Sequence, residues 1–406
     1  MNHAQFQPIQ PRLGAVDQTN AKEFVFGRSL LVETLWRRLD AGSLRLVAER
    51  RMGKTWVLHL ALANAPEWAV PVLFDAQKHR SDADLILEIN RVLHEKGLLP
   101  DAWWQKVWDW SRRKLHDFRG KKLNQIEVPE IETSAAILEE TCREFVKAQS
   151  GKRPVLIIDE FPFLLDKLVK EDSCEAAEQL LDSLRSLRHE LPDLRMVFCG
   201  SLGLHIVLDR LAENQYTGRP VNDMPPFEVP PLDESDAVAL AGGLLLGSSV
   251  PCSDLSKVAE EVARGGSCVP FYIQHLVMWM DTQSKKEWTP DDARQAPLRL
   301  FDAANDPGEF RYYDQRLDQY YPDDIVAKAR AILFQLCHDA EGLEFDDLVN
   351  RLRHTQDCVE THDHEAQKVL ETLRDDHYLV SDGNRWRFKL EIVRRWWQHT
   401  RGGRNR

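Results

Sequence analysis

The sequence predicts an α/β fold on a parallel sheet, followed by a helical domain and a domain of helices closed by a hairpin. Three observations carry this. In "LRLVAERRMGKTWVLHL", Leu44 to Leu60, a short apolar strand runs into a Gly-Lys-Thr turn and on into an apolar helix. In "RPVLIIDEF", four apolar residues, Val155 to Ile158, lead into Asp159 and Glu160 without alternation, as in a strand buried on both faces. Strand and helix patterns alternate up to about residue 230, the rhythm of a parallel sheet.

Composition bounds the rest. A chain of 406 residues is long for one domain, so two or three are expected, and 43% hydrophobic with 29% charged residues is globular. The net charge of −12 excludes a protein that coats nucleic acid over its whole surface and leaves room for a local basic patch. Seven scattered cysteines, an odd number, point to a reducing compartment. The start shows no basic stretch followed by an apolar one, and no apolar run nears the roughly 18 residues of a spanning helix. A cytoplasmic protein without membrane contact is expected.

In order along the chain, residues 1–19 are polar and proline-bearing and read as an arm. Residues 20–232 form the α/β domain. "FVFGRSLLVETLWRRLD" opens it with a Gly-Arg turn and a helix carrying Leu30, Leu31, Leu35 and Leu39 at helical spacing. Strands are expected in "SLRLVA", "AVPVLFDA", "RPVLIID" and "LRMVFCGS", the last breaking at Gly200-Ser201. The helix in "DAWWQKVWDWSRRKLHDF" should place Trp103, Trp104 and Trp108 on one face. The prolines of "MPPFEVPPL" end the sheet pattern, and residues 233–300 read as a helical lid. "EWTPDDARQAPLRLFDAANDPGEF" looks like a connector. Residues 301–406 hold the connector's end, three helices and two short strands around Asp382-Gly383-Asn384, which together make a winged helix with a basic tail.

The Gly-Lys-Thr turn has the chemistry of a phosphate-binding loop. Backbone N–H groups at a helix start converge on an anion, Gly53 lets the chain approach it, and Lys54 adds a mobile charge. Thr55 supplies a hydroxyl for Mg²⁺. Ala48 stands where such loops usually carry glycine, which matters only if that position needs positive φ. Asp159 would complete the Mg²⁺ sphere, and Glu160 would orient or deprotonate the attacking water. Ser201, closing the next strand, could reach the γ-phosphate or cap a turn.

Together "FGR", "RRMGKT", "LIIDEF", "FCGS", "TGRP" with "PPFEVPPL", and "RYYDQRLDQYY" resemble the AAA+ ATPases of the archaeal-type STAND group, sisters of the origin-recognition ATPases. The resemblance spans Phe26 to about Trp397. It implies ATP or ADP with Mg²⁺ held between an α/β domain, a helical lid and a winged helix, and a switch between closed ADP and open ATP states. It implies nucleotide contacts from Arg51, Met52, Gly53, Lys54, Thr55 and Trp56, with Phe26, Gly27 and Arg28 near adenine and ribose. Arg219 matches a γ-phosphate sensor or finger, acting on its own or a neighbouring chain. Pro270 matches a lid proline packing on the base, though three residues separate it from Gly266 where the family has one. With Ala48 in the loop, slow hydrolysis with retained binding is expected.

Two further features are chemically suggestive. His354, Cys358, His362 and His364 include a helical i, i+4, i+8 set but lack a second short-spaced pair, and read as surface residues rather than a zinc site. "RWRFKLEIVRRWWQHTRGGRNR" is basic, with Trp386, Trp396 and Trp397 interleaved, which suits either DNA contact or a regulatory lid whose tryptophans are core. A nucleotide switch leads among the functions. The others are a DNA-binding initiator or loader and a nucleotide-holding scaffold, for example in bacterial defence. The partner would be a protein effector, a second copy in a nucleotide-dependent oligomer, or DNA.

Overall fold

Two helices open the chain, α1 (Ala21–Phe24) and α2 (Ser29–Ala41), the second burying Val32, Leu35, Trp36 and Leu39 along one stripe. Next come β1 (Leu44–Val47), α3 (Lys54–Ala63), β2 (Ala69–Asp75), α4 (Asp82–Glu95), α5 (Asp101–Arg119), α6 (Ser134–Ala148) and β3 (Arg153–Asp159). Helices α7 (Phe161–Glu171) and α8 (Cys174–Glu190) lead to β4 (Arg195–Gly200), and α9 (Leu204–Glu213) to β5 (Pro226–Glu228). The structure is a computed structural model and describes residues 6–11, 17–119, 133–171, 174–200, 203–302, 304–353 and 363–401.

The five strands form one parallel sheet in the order β2-β3-β4-β1-β5. Every residue of β3 from Pro154 to Asp159 is buried, as the unbroken apolar run requires. Because β1 lies beside β4, with β3 next in line, the loops leaving all three strands open on one edge of the sheet, where ligands of such folds bind. The fifth strand corrects the sequence reading, which ended the sheet at the prolines. β5 pairs only with β1 and sits at the edge, where a residue lacking an N–H is tolerated.

The tryptophan-rich helix also differs from expectation. Trp103, Val107 and Trp110 form its buried stripe, whereas Trp104 stacks on His94 at 5.3 Å and Trp108 is 40% exposed. Trp103 therefore leaves the face it was to share, because successive helical residues diverge by about 100°.

Helices α10 (Glu234–Gly247), α11 (Leu255–Gly265), α12 (Pro270–Asp281) and α13 (Pro290–Phe301) make the helical layer. The last of these lies in the segment read as a connector. An interior proline such as Pro297 disfavours a helix, yet a Thr289–Asp292 capping box and Pro290 in the first turn start it, and Pro297 is buried against Gly265. The start of the chain is strapped onto α10. Ile9 donates its N–H to the Gly243 carbonyl at 2.8 Å, and a Cβ at Gly247 would lie 2.0 Å from the Ile9 oxygen, so glycine is obligatory there.

The remaining elements are α14 (Arg311–Tyr320), α15 (Asp323–Cys337), β6 (Leu343–Glu344), α16 (Phe345–Arg353), α17 (Asp363–Asp375), β7 (Leu379–Asp382), β8 (Arg385–Phe388) and α18 (Glu391–Arg401). Their strands form an antiparallel sheet in the order β6-β8-β7, and Gly383, at φ 57°, makes the β7–β8 turn possible. Trp386, Trp396 and Trp397 are all buried in this module. His354, Cys358 and His362 lie outside the described residues. Among the described residues no helix is long and apolar enough to cross a membrane.

Candidate nucleotide site

The loop between β1 and α3 takes its shape from two left-handed residues, Arg51 at φ 70° and Gly53 at φ 82°. Ala48 is not among the positive-φ residues and is buried, so alanine meets the backbone requirement there. Lys54, the first residue of α3, folds its ammonium back over the loop and donates to the carbonyls of Ala48 at 3.0 Å and Glu49 at 3.2 Å. Thr55 Oγ1 donates to Asp159 Oδ2 at 2.9 Å, tying the loop to the end of β3. The other carboxylate oxygen, Oδ1, accepts the N–H of Glu160 at 3.0 Å. Glu160 itself is held at φ 52°, a conformation that costs a non-glycine residue about 1–3 kcal/mol and is found most often at functional sites.

Above these groups lies a cavity of about 300 Å³. Its floor is Arg50, Arg51, Gly53, Lys54, Thr55 and Trp56. The facing wall is Pro270, Phe271 and Gln274 of α12, and the rim is Gln77, Glu160 and Phe163. Seven of the residues singled out in the sequence thus share one cavity, with Asp159 joined through Thr55. The extra residues ahead of Pro270 are absorbed in a tight turn, Ser267 and Cys268 adopting φ 53° and 56°, so Pro270 still reaches the wall as the first residue of α12. Sequence reasoning missed Arg50, Gln77, Phe163, Phe271 and Gln274. The signal for Gln77 was its place just beyond a strand's carboxyl end.

Other expected residues lie elsewhere. Arg28, 4% exposed, donates to the carbonyls of Pro230 at 2.7 Å and Pro231 at 3.3 Å, and burial lowers its pKa to about 10 against the pull of Asp233 and Asp236. A Cβ on Gly27 would lie 2.8 Å from Asp236 Oδ2. Gly27 and Arg28 therefore fasten the start of α2 to the segment around residues 230–236, and neither they nor Phe26 line the cavity. Met52 is 1% exposed and packs in the core behind the loop. Arg219 is exposed, in the stretch that runs along α8 toward β5, and does not line the cavity either. Ser201 lies outside the described residues.

The charge balance of the cavity is set by a residue remote in sequence. Arg50 and Arg51 both grip the carboxylate of Glu309, Arg50 through Nε at 3.0 Å and Nη2 at 2.9 Å, and Arg51 through Nε at 3.0 Å and a second contact. Each guanidinium also covers an aromatic ring, Arg50 that of Tyr312 at 4.1 Å and Arg51 that of Phe271 at 4.5 Å. Burial and the neighbouring Arg50 pull the Arg51 pKa below its usual value, while burial and Arg51 hold His275 at about 4, hence neutral. The Thr55 hydroxyl and Asp159 carboxylate are adjacent hard oxygen donors, a set that fits Mg²⁺.

Comparison with known proteins agrees with this geometry. Residues 37–208 match the AAA domain family. A Walker-type ATPase of Pyrococcus abyssi superposes over 97% of this chain and 98% of its own, with TM-score 0.60 at 16% identity. The Aeropyrum pernix ORC2 protein, in its ADPNP–ADP complexes, covers 98% of each chain with TM-score 0.46 at 11% identity, too loose a likeness to bear on function. No curated protein matches the chain. Residues 37–208 thus carry an AAA domain, and the likeness to the Pyrococcus abyssi ATPase shows a shared fold over nearly the whole chain.

Proposed function

We propose that this chain is a cytoplasmic switch that binds ATP at the Gly53–Thr55 loop, hydrolyses it and holds ADP between turnovers. The observation that carries the reading is the Thr55–Asp159 bond beneath a cavity closed on its far side by α12. Lys54 and the N–H groups at the start of α3 would bind the phosphates, the ammonium exchanging loop carbonyls for phosphate oxygens. Thr55 and Asp159 would hold Mg²⁺, which neutralises phosphate charge when bound. Glu160 would take the proton of the attacking water. Trp56, Pro270 and Phe271 offer apolar surface to the nucleotide. Loop geometry gives Ala48 no part in slowing the reaction.

We assign residues 20–232 to the nucleotide domain, 233–300 to its lid, and 301–406 to a connector and winged helix, with 1–19 as an arm. The helix–strand–helix–helix–hairpin order and the β6-β8-β7 sheet support the last of these. The switch reading is favoured over the DNA-loader reading because Arg394 and Arg401 are occupied by internal partners. A protein effector or a second copy is the partner that fits, and the exposure of Arg219 away from its own cavity supports a role on a neighbouring copy. In calorimetry, Lys54→Ala should weaken ATP and ADP binding by about a hundredfold, the equivalent of roughly 3 kcal/mol of charge-assisted bonding, with the fold retained. Unchanged affinity would remove the site.

A further inference from the structure

Arg316 on α14 is 2% exposed and its guanidinium lies between two carboxylates from opposite ends of the chain. Nη2 donates to Asp376 Oδ1 at 2.6 Å, and Nη1 stands 3.8 Å from Glu49 Oε1. Both acids are themselves buried. Asp376 follows α17, in the C-terminal module. Glu49 belongs to the phosphate loop, where its Oε1 also accepts the N–H of Arg50 at 3.1 Å and its carbonyl accepts Lys54. Tyrosines complete the cluster. Tyr321 donates its hydroxyl to Asp376 Oδ2 at 2.9 Å, and Tyr378 donates to the Tyr313 carbonyl at 2.7 Å.

The neighbouring loop residues grip the same segment, since Arg50 and Arg51 hold Glu309, two residues before α14. Three consecutive residues of the phosphate loop are therefore bound through their side chains to residues 309–316, and residue 316 is bound to the C-terminal module. Phosphates engage the backbone of this loop and Lys54, so binding must adjust the same residues that hold Glu309 and Arg316. A buried ion cluster tolerates few arrangements, because each ion loses its partners' compensation when displaced. Small loop movements then become a choice between docked and undocked states rather than a gradual strain. Burial pushes the Glu49 carboxyl up to about 7, while Arg316 draws it back.

We propose that Arg316 is the positioning residue through which occupancy of the phosphate loop sets the docking of the C-terminal module. The proposal rests on the nucleotide-switch reading above.

Hydrogen exchange of residues 376–389, with and without saturating ATP analogue or ADP, tests it alongside nucleotide affinity by calorimetry. Wild-type protein should show a nucleotide-dependent change in protection of at least tenfold. Arg316→Met should lose that dependence while keeping affinity within about tenfold, and Arg316→Lys, which retains charge but not the two-ended fork, should restore part of it. A folded, nucleotide-binding Arg316→Met protein with the wild-type protection change would overturn the proposal. Should Arg316→Met fail to fold, Asp376→Asn decides. Asp376 does not line the cavity, yet linkage requires that loosening it shift nucleotide affinity, here by fivefold or more. A shift under twofold counts against the coupling. A wild-type protein that binds no nucleotide removes the switch reading itself, whereas one that binds without any change in protection removes the coupling alone.

Discussion

The carboxyl edge of the parallel sheet and the last helix are both dense in charge, and they use it in opposite ways. At the sheet edge Arg50, Arg51, Lys54, Thr55 and Glu160 converge on a cavity of about 300 Å³. On α18, Arg394 spends its guanidinium on Glu391 at 2.7 Å and on the Cys337 carbonyl, Arg401 pairs with Asp314, and His399 meets Asp302 at 2.7 Å. The first set is organised around space and the second around the module's own packing. A run of charge in a sequence therefore does not by itself mark a site. What marks one is convergence on a concave surface, which depends on elements far apart in the chain.

Substitutions can break or sharpen that contrast. The largest expected effect, beyond loss of binding in Lys54→Ala, is on turnover in Glu160→Gln. Losing the base should slow hydrolysis by about 10²–10⁴-fold while ATP binding persists, as read by single-turnover assays with a filter-binding control. Turnover at the wild-type rate would strip Glu160 of its role. Next comes Arg394→Ala, which removes buried charge-assisted bonds and should cost about 1.5–3 kcal/mol in denaturant unfolding. Its retention on DNA at low salt should match wild type. A clear loss of DNA retention with unchanged stability would mean that α18 faces a partner after all. The smallest effect is expected of Ala48→Gly. Because Ala48 needs no positive φ, glycine there should leave ATP affinity within about threefold and cost at most about 1 kcal/mol of stability. A tenfold rise in turnover would show instead that the alanine restrains the loop.

Much of the sheet and the centre of the site were legible because they rest on local patterns. The run Val155–Ile158 into Asp159 announces a buried strand ending in acid, and Gly53-Lys54-Thr55 after an apolar strand announces an anion-binding turn. Arg50, Phe271 and Gln274 were not legible, since nothing in their immediate sequence distinguishes a side chain that meets a cavity from one that does not. Phe26, Gly27 and Arg28 show the converse case. Their motif was visible, but the hinge carbonyls of Pro230 and Pro231 that claim Arg28 lie about two hundred residues away.

By itself the sequence determined which strands are covered on both faces, where the phosphate loop lies, and which carboxylates follow the central strand, because periodicity and backbone conformational limits act over a few residues. Tertiary structure decided that β5 joins an edge its prolines allow, that residues 290–301 are helix, and that Trp396 and Trp397 are core. It also decided that Glu309 pairs with both of the loop's arginines and that Arg316 joins Glu49 to Asp376. Those contacts depend on which distant groups share a buried volume, and the cost of leaving a buried charge unpaired, which selects such partners, is a property of the packed chain rather than of any segment.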